Sequence, residues 1–190
     1  MRPEAIRGGG IVPLPAETAT VRVWDPVVRI FHWGVVAACI LNLFILEEGK
    51  MAHRYVGYTV AGLLAVRLVW GLVGSRHARF ADFMPTPRRL VPYVRDLVAG
   101  REKRQLGHNP LAAVMMIVLM LLLALTAGTG FMSTLDAFWG VKWVKELHEV
   151  FANGILWLAV LHAVAAIVES RRHRENLIWS MVTGRKRAID

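Results

Sequence analysis

Several kinds of residue are scarce in this chain, and each scarcity removes a class of function. Cysteine occurs once in 190 residues, as Cys39. Neither a disulfide framework nor a cysteine-based metal site can therefore form within one chain. Acidic side chains are few, 14 against 23 Lys and Arg, which leaves a net charge of +9. The first twenty residues lack a basic start followed by an apolar run, so no cleaved signal peptide is expected. Gly8-Gly9-Gly10 with Pro3, Pro13 and Pro15 instead predicts a flexible tail over residues 1–20.

Charge is also sparse in four long apolar stretches, about Arg29–Leu46, His53–Val73, Leu111–Met132 and Val144–Val168. Each approaches the roughly 20 apolar residues that a helix needs to cross hydrocarbon. With 55% hydrophobic residues overall, the expectation is an all-α membrane protein, a four-helix bundle over residues 21–180. A basic tail over 181–190 would follow it.

The excess of positive charge is a topology signal rather than a nucleic-acid signal. Residues 1–29 hold 4 Lys and Arg, 74–110 hold 8 and 169–190 hold 6, whereas 47–54 and 133–147 hold 2 each. The positive-inside rule then places both termini and the long 74–110 loop in the cytoplasm. Anionic lipid head groups are natural neighbours of those segments, and no nucleic-acid partner is expected. Within the loop, Leu90–Ala99 reads as a short helix at the membrane surface, with His77 and His108 as solvated or interfacial side chains. On the far side, Trp139 and Trp143 are spaced to share one face of a short interfacial helix. That surface is a candidate platform for an external partner or a quinone head group.

The chemistry sits in the fourth stretch, where His148 and His162 are 14 residues apart. Fourteen helical steps return to nearly the same face about 21 Å further along the axis. One metal ion cannot span that distance, but two stacked sites can. A histidine within hydrocarbon is costly and usually functional, and imidazole is a standard axial ligand of haem iron. The plainer alternative is a pair of histidines bonded to backbone carbonyls. Depth decides between them: His32 lies shallow on the cytoplasmic side and His162 toward that side, while His53 and His148 both start on the far side. The pairs His32/His162 and His53/His148 would hold two haems, one near each surface.

Arg67, 14 residues after His53, lies on the His53 face one layer deeper. It is a candidate partner for a haem propionate, or else snorkels to the nearer surface. Arg29, three residues before His32, and Arg54, next to His53, are further propionate candidates. Gly57 would let a flat group approach the second helix. The third stretch has no ionisable residue. Met115, Met116 and Met120 read as lining, and Ala127-Gly128-Thr129-Gly130 as helix packing.

WDPVVRIFHW, HRYVGY, RLVWGLVGSRHARFADF and LHEVFANGILWLAVLH resemble the bacterial cytochrome b561 family, which includes the b-type subunit of nickel–iron hydrogenases. The resemblance spans about residues 21–180, and the paired-histidine fourth helix is its most specific motif. It implies two haem b groups on His32, His53, His148 and His162, and electron exchange with the membrane quinone pool. GLVGSRHARFADF is similar to a branch associated with periplasmic c-type cytochromes. The expected function is electron transfer across the inner membrane between a periplasmic c-type cytochrome or dehydrogenase and quinone. A second reading is a stand-alone superoxide oxidase that reduces ubiquinone. Lys50, Arg54, Lys142 and Lys145 would steer the anion, with Glu47, Glu48, Asp136, Glu146 and Glu149 opposing them. A third reading, a metal-cation or proton transporter, predicts a colourless protein.

Overall fold

The computed structural model describes residues 19–188, so most of the expected N-terminal tail lies outside the described residues. Four helices are long and apolar enough to cross a membrane. They are α1 (Pro26–Ile40, continued by a wide π turn over Leu41–Ile45), α2 (Met51–Val73), α5 (Pro110–Met132) and α6 (Lys142–Arg172). Between α2 and α5 lie a one-turn helix α3 (Phe80–Phe83) and a surface helix α4 (Pro87–Val98). After α6 come α7 (Leu177–Thr183) and strand β2 (Arg185–Arg187), which pairs with strand β1 (Thr20–Arg22).

Local chemistry starts two of the four spanning helices. Asp25 accepts from the Val28 N–H at 3.0 Å with Pro26 in the first turn of α1, and Asn109 accepts from Ala112 at 2.7 Å with Pro110 opening α5. An Asp or Asn cap followed by proline satisfies orphan donors and supplies a φ already suited to a helix. The observed α4 starts three residues before its predicted limit, because Pro87 after Thr86 supplies a first-turn proline, here without a side-chain cap bond. Val91, Val94 and Val98 face outward from it, whereas Tyr93 is buried. That arrangement suits a helix lying along the membrane surface.

Lipid is the solvent for the bundle. Phe44, Leu72, Val73 and Trp157 are each at least 67% exposed, a pattern unfavourable in water but expected for helices facing hydrocarbon. The inward residues form a central layer of Ala38, Val60, Leu64, Met120, Leu123 and Ile155. Helix α5 packs along α6, α2 packs on α5, and α1 packs on α2. Helix α6 makes only glancing backbone approaches to α1 and α2. A gap runs between them.

The C-terminal segment read as a basic tail is ordered through residue 188. It closes the end of the bundle where β1 and β2 pair, here the terminal face. Gly184 caps α7 at φ +80°, and a Cβ there would come within 2.5 Å of the Trp24 carbonyl oxygen, so only glycine fits. The Gly184 carbonyl in turn accepts from Val23 and Trp24 N–H at 2.9 and 3.1 Å. Glu175 ties this segment to the loop before α5: it accepts from Arg104 at 2.7 Å and from the Arg187 N–H at 2.6 Å. Glu102 pairs with Arg172 at 2.6 Å.

The connections between spans add further local constraints, and one overturns an expectation. The π turn puts Asn42 Nδ2 3.3 Å from the His53 carbonyl. Trp139 and Trp143 do not share a helix. Gly140, at φ +74°, separates a 3-10 turn from the start of α6. Near the terminal face, Gly71 is required because a Cβ would lie 2.1 Å from the Phe80 ring.

Two outcomes follow for stability. Burial alone would raise the Glu175 carboxyl, but the hydrogen bonds from Arg104 and Arg187 outweigh it and hold it below the usual carboxylate range. A group depressed on folding contributes stability above its ordinary pKa and loses it as pH falls through the folded value. The terminal segment should therefore become protease-sensitive on acidification below about pH 4.5; cleavage near residue 185 that is independent of pH would refute this. Glu175→Ala strands the nearly buried Arg104 and should cost about 3 kcal/mol. Lys142→Ala, which removes an exposed pair, should cost under about 1 kcal/mol; denaturation in detergent compares the two.

Candidate functional site

The four histidines picked out by spacing face one another in two pairs across the gap. His32 of α1 meets His162 of α6 with ring centroids 6.3 Å apart, and His53 of α2 meets His148 of α6 at 6.1 Å. The α6 helix is continuous through both of its histidines, so the pairs are separated by about 21 Å along its axis. Val60 and Ile155 each lie seven residues from the histidines or arginine on either side of them, and both are buried. They place an apolar septum between the two layers.

The pair separation is informative. A metal–imidazole bond is about 2 Å, and the ring centre lies roughly another 1 Å beyond the nitrogen. Two imidazoles on opposite sides of one metal therefore have centroids about 6 Å apart. Rings stacked or hydrogen-bonded directly to each other would be closer. The spacing leaves room for one metal atom between the partners of each pair.

Hydrogen bonding prepares one ring for ligation. His148 Nδ1 lies 3.0 Å from the Thr126 carbonyl oxygen and 3.2 Å from Thr129 Oγ1. A carbonyl only accepts, so Nδ1 carries the proton and the Nε2 lone pair is free for a metal. Gly130 is needed beside this ring, since a Cβ there would fall 3.0 Å from His148 Cε1. The Ala127–Gly130 stretch thus does more than pack helices. Nδ1 of His32 and of His53 is buried without a partner.

The His53–His148 layer opens into a cavity of about 650 Å³, lined among others by Cys39, Arg54, Gly57, Thr126, Ala127 and Trp139. That volume suits a bound organic group. A Cβ on Gly57 would meet nothing within 4 Å, so the backbone of α2 borders open space here. Arg54 lies 5.7 Å from the Trp139 ring centre at the mouth.

At the other layer, Arg67 is only 1% exposed. It does not snorkel. Its Nη2 is 4.0 Å from Met116 Sδ, its guanidinium lies 5.0 Å from the Phe80 ring centre, and Nη1 is buried without a partner. No carboxylate lies within 4 Å of it among the described residues. A buried cation without an acid is costly, and an arriving carboxylate would satisfy it. Arg29 donates one bond to the Val182 carbonyl, while its Nε is buried and unpartnered.

Spacing missed three features of this region. His108 is half-buried between Trp24 and Phe83, with both ring centroids 4.7 Å away, an interfacial side chain held by aromatic rings that spacing did not indicate. Its position one residue before the cap of α5 was the available signal, because that places it at the bundle's end. His77 is half-buried, bonded to Asp82 at 3.1 Å. Asp25 does more than cap: it also accepts from Trp70 Nε1 at 2.9 Å and from Ser75.

The donor set and its geometry fit a haem: paired imidazoles at metal-bridging distance, a cavity bordered by glycine, and buried cations lacking an acid. Comparison with known proteins agrees. Residues 23–184 match the family described as prokaryotic cytochrome b561. A probable Ni/Fe-hydrogenase B-type cytochrome subunit of Rhodobacter capsulatus is 24% identical over 213 residues, covering 88% of this chain and 81% of that protein. Its counterpart in Bradyrhizobium diazoefficiens is 26% identical, covering 90% and 87%. That of Rhizobium leguminosarum bv. viciae is 25% identical, covering 90% of each. No solved structure matches. With four apolar helices, paired intramembrane histidines and a family match over nearly its whole described length, the chain belongs to the prokaryotic cytochrome b561 family and is a multi-pass b-type cytochrome of the bacterial inner membrane.

Proposed function

We propose that this protein binds two haem b groups, on His32/His162 and His53/His148, and carries electrons across the membrane between a periplasmic redox partner and the quinone pool. The observation that carries this reading is the 6.3 and 6.1 Å separation of the two imidazole pairs. With both imidazoles of a pair engaged, the bound group would supply one-electron transfer rather than oxygen binding.

The chain's own residues hold, orient and insulate. Four helices bring the imidazoles to two depths, and the Thr126 carbonyl with Thr129 fixes the His148 tautomer. The Val60–Ile155 septum keeps water from the middle. Arg67 and Arg29 supply positive charge to propionates at the terminal face, and Arg54 does so at the other. The charge bias places the terminal face in the cytoplasm. The His53–His148 cavity then opens to the periplasm, where Trp139 and Trp143 are 66% and 50% exposed as landing points for a partner. A periplasmic c-type cytochrome or dehydrogenase subunit is the fitting partner. Relatives named as hydrogenase cytochrome subunits support the dehydrogenase form.

The superoxide oxidase alternative draws little support from the outer surface. Lys50, Lys142 and Lys145 pair with Glu47, Glu146 and Glu149 at 3.8, 3.4 and 3.5 Å. Those cations are locally offset, and a steering field needs uncompensated charge.

Two measurements test the proposal. A haemochrome assay on protein purified in mild detergent should give two haem b per chain. His162→Ala and His148→Ala should each remove one haem and leave the other visible in the spectrum. One haem at full occupancy in the unsubstituted protein, or two retained after either change, would sink the ligand assignment. In the second measurement, a reduced co-purifying redox protein should reduce the haems faster than superoxide does; the reverse order would favour the stand-alone enzyme.

A further inference from the structure

Unpartnered buried polar groups concentrate beyond the His32–His162 layer, and they share one chemistry. Trp24 Nε1, Arg29 Nε and Arg67 Nη1 are buried without partners, as is Nδ1 of His108. The first three can only donate. Lys186 adds another donor: it is 6% exposed and has no carboxylate within 4 Å among the described residues.

These groups form one connected cluster. Lys186 Nζ lies 5.2 Å from the Trp24 ring centre, and Trp24 is 4.7 Å from His108. His108 is 4.7 Å from Phe83, Phe83 is 5.9 Å from Phe80, and Phe80 faces the Arg67 guanidinium at 5.0 Å. Arg29 reaches the same segment through the Val182 carbonyl. Nearby acids are already engaged. Asp25 serves Val28, Trp70 and Ser75. Glu169 serves Tyr93, Asn109 and His173. Glu175 serves Arg104 and Arg187.

Two buried cations, surrounded by donors and lacking a free acid, call for an anion from outside the chain, one with several oxygens. Burial first, and then the positive charges of Lys186 and Arg67, push His108 down to about 3. It is therefore a neutral imidazole that can donate a hydrogen bond without adding charge. Trp33, whose ring lies 5.1 Å from that of His32, donates to the Met181 carbonyl at 3.4 Å, which places the terminal segment against the His32–His162 layer rather than out at the lipid head groups.

We propose that Lys186, Trp24 and His108 join Arg67 and Arg29 in binding the two propionates of the haem at His32/His162. Strand β2 closes over those carboxylates as a clasp. The inference rests on the two-haem reading and extends it to a segment that lies outside the helical bundle. The two buried cations, Arg67 and Lys186, match two carboxylates, with Arg29 beside them, and the paired strands β1 and β2 bring Trp24 and Lys186 together.

The test uses the purified holoprotein as wild type, Lys186→Met, Lys186→Arg and Trp24→Phe. Redox titration followed in the visible spectrum should show that Lys186→Met lowers the potential of one haem and leaves the other in place. The expected change is a roughly tenfold shift in that haem's oxidised-to-reduced ratio, about 59 mV for one electron. Lys186→Arg should restore most of it. Redox-difference infrared spectra, taken with haem isotopically labelled at the propionate carboxylates, should show shifted carboxylate bands in Lys186→Met and in Trp24→Phe. If Lys186→Met does not accumulate, the bands of Trp24→Phe decide. Two haems with unmoved potentials and unmoved labelled bands overturn the clasp while leaving the two-haem reading intact. A potential shift without movement of the labelled bands also overturns it and assigns the anion to another source, such as a lipid phosphate. Wild-type protein without haem overturns the reading beneath.

Discussion

Most of this molecule follows from the need to keep polar groups partnered inside hydrocarbon. A spanning helix satisfies its own backbone, so what remains to be partnered is side chains. Here those side chains are four imidazoles and one guanidinium, turned inward across a gap where α6 stands away from α1 and α2. Helix α5 makes that gap possible. It packs closely on α6 and also on α2, carries no ionisable side chain, and braces both walls without filling the space between them. It also contributes the Thr126 carbonyl, Thr129 and Gly130 to the His148 ring, so a helix with no histidine of its own still sets the orientation of one.

The two ends of the bundle are built differently, and the difference bears on function. The terminal face is sealed by β1, β2, α7 and the loop before α5, tied together by Arg104–Glu175 and Arg172–Glu102. Glu175 and Glu102 have side chains only 9% and 3% exposed, so these pairs are far from the weakly contributing surface class. The opposite end is open: a cavity reaches the surface beside Trp139, and its ion pairs are exposed neighbours on single segments. On the proposed reading, the sealed end holds its group tightly in a dry, positively charged setting. The open end gives a partner access to the other group.

Much of this was legible in the residues. The four spans, their caps at Asp25 and Asn109, and the pairing of histidines by depth follow from period and spacing alone, because a helix converts sequence separation into angle and height. Arg67 stood out for the same reason, a charge in an apolar run in phase with His53. What misled was the assumption that loops and tails face water. His108 sits in a polar loop, yet its Nδ1 is buried, and Lys186 sits in a basic tail, yet it is only 6% exposed. Their burial depends on β1 meeting β2 across more than 160 residues, a contact with no local signature in a three-residue strand. The expected Trp139–Trp143 helix failed more simply, since Gly140 takes a positive φ and ends the turn.

The sequence by itself determined that the chain crosses a membrane four times and which histidines lie at equal depth. Hydrophobic length and helical periodicity are properties of each segment taken alone. Only the tertiary structure decided that the imidazoles stand about one metal atom apart, that Arg67 is buried without an acid, and that β1 and β2 close over one face. Those are distances between segments far apart in sequence, and they depend on how α5 spaces its neighbours and on which carboxylates other partners have already taken.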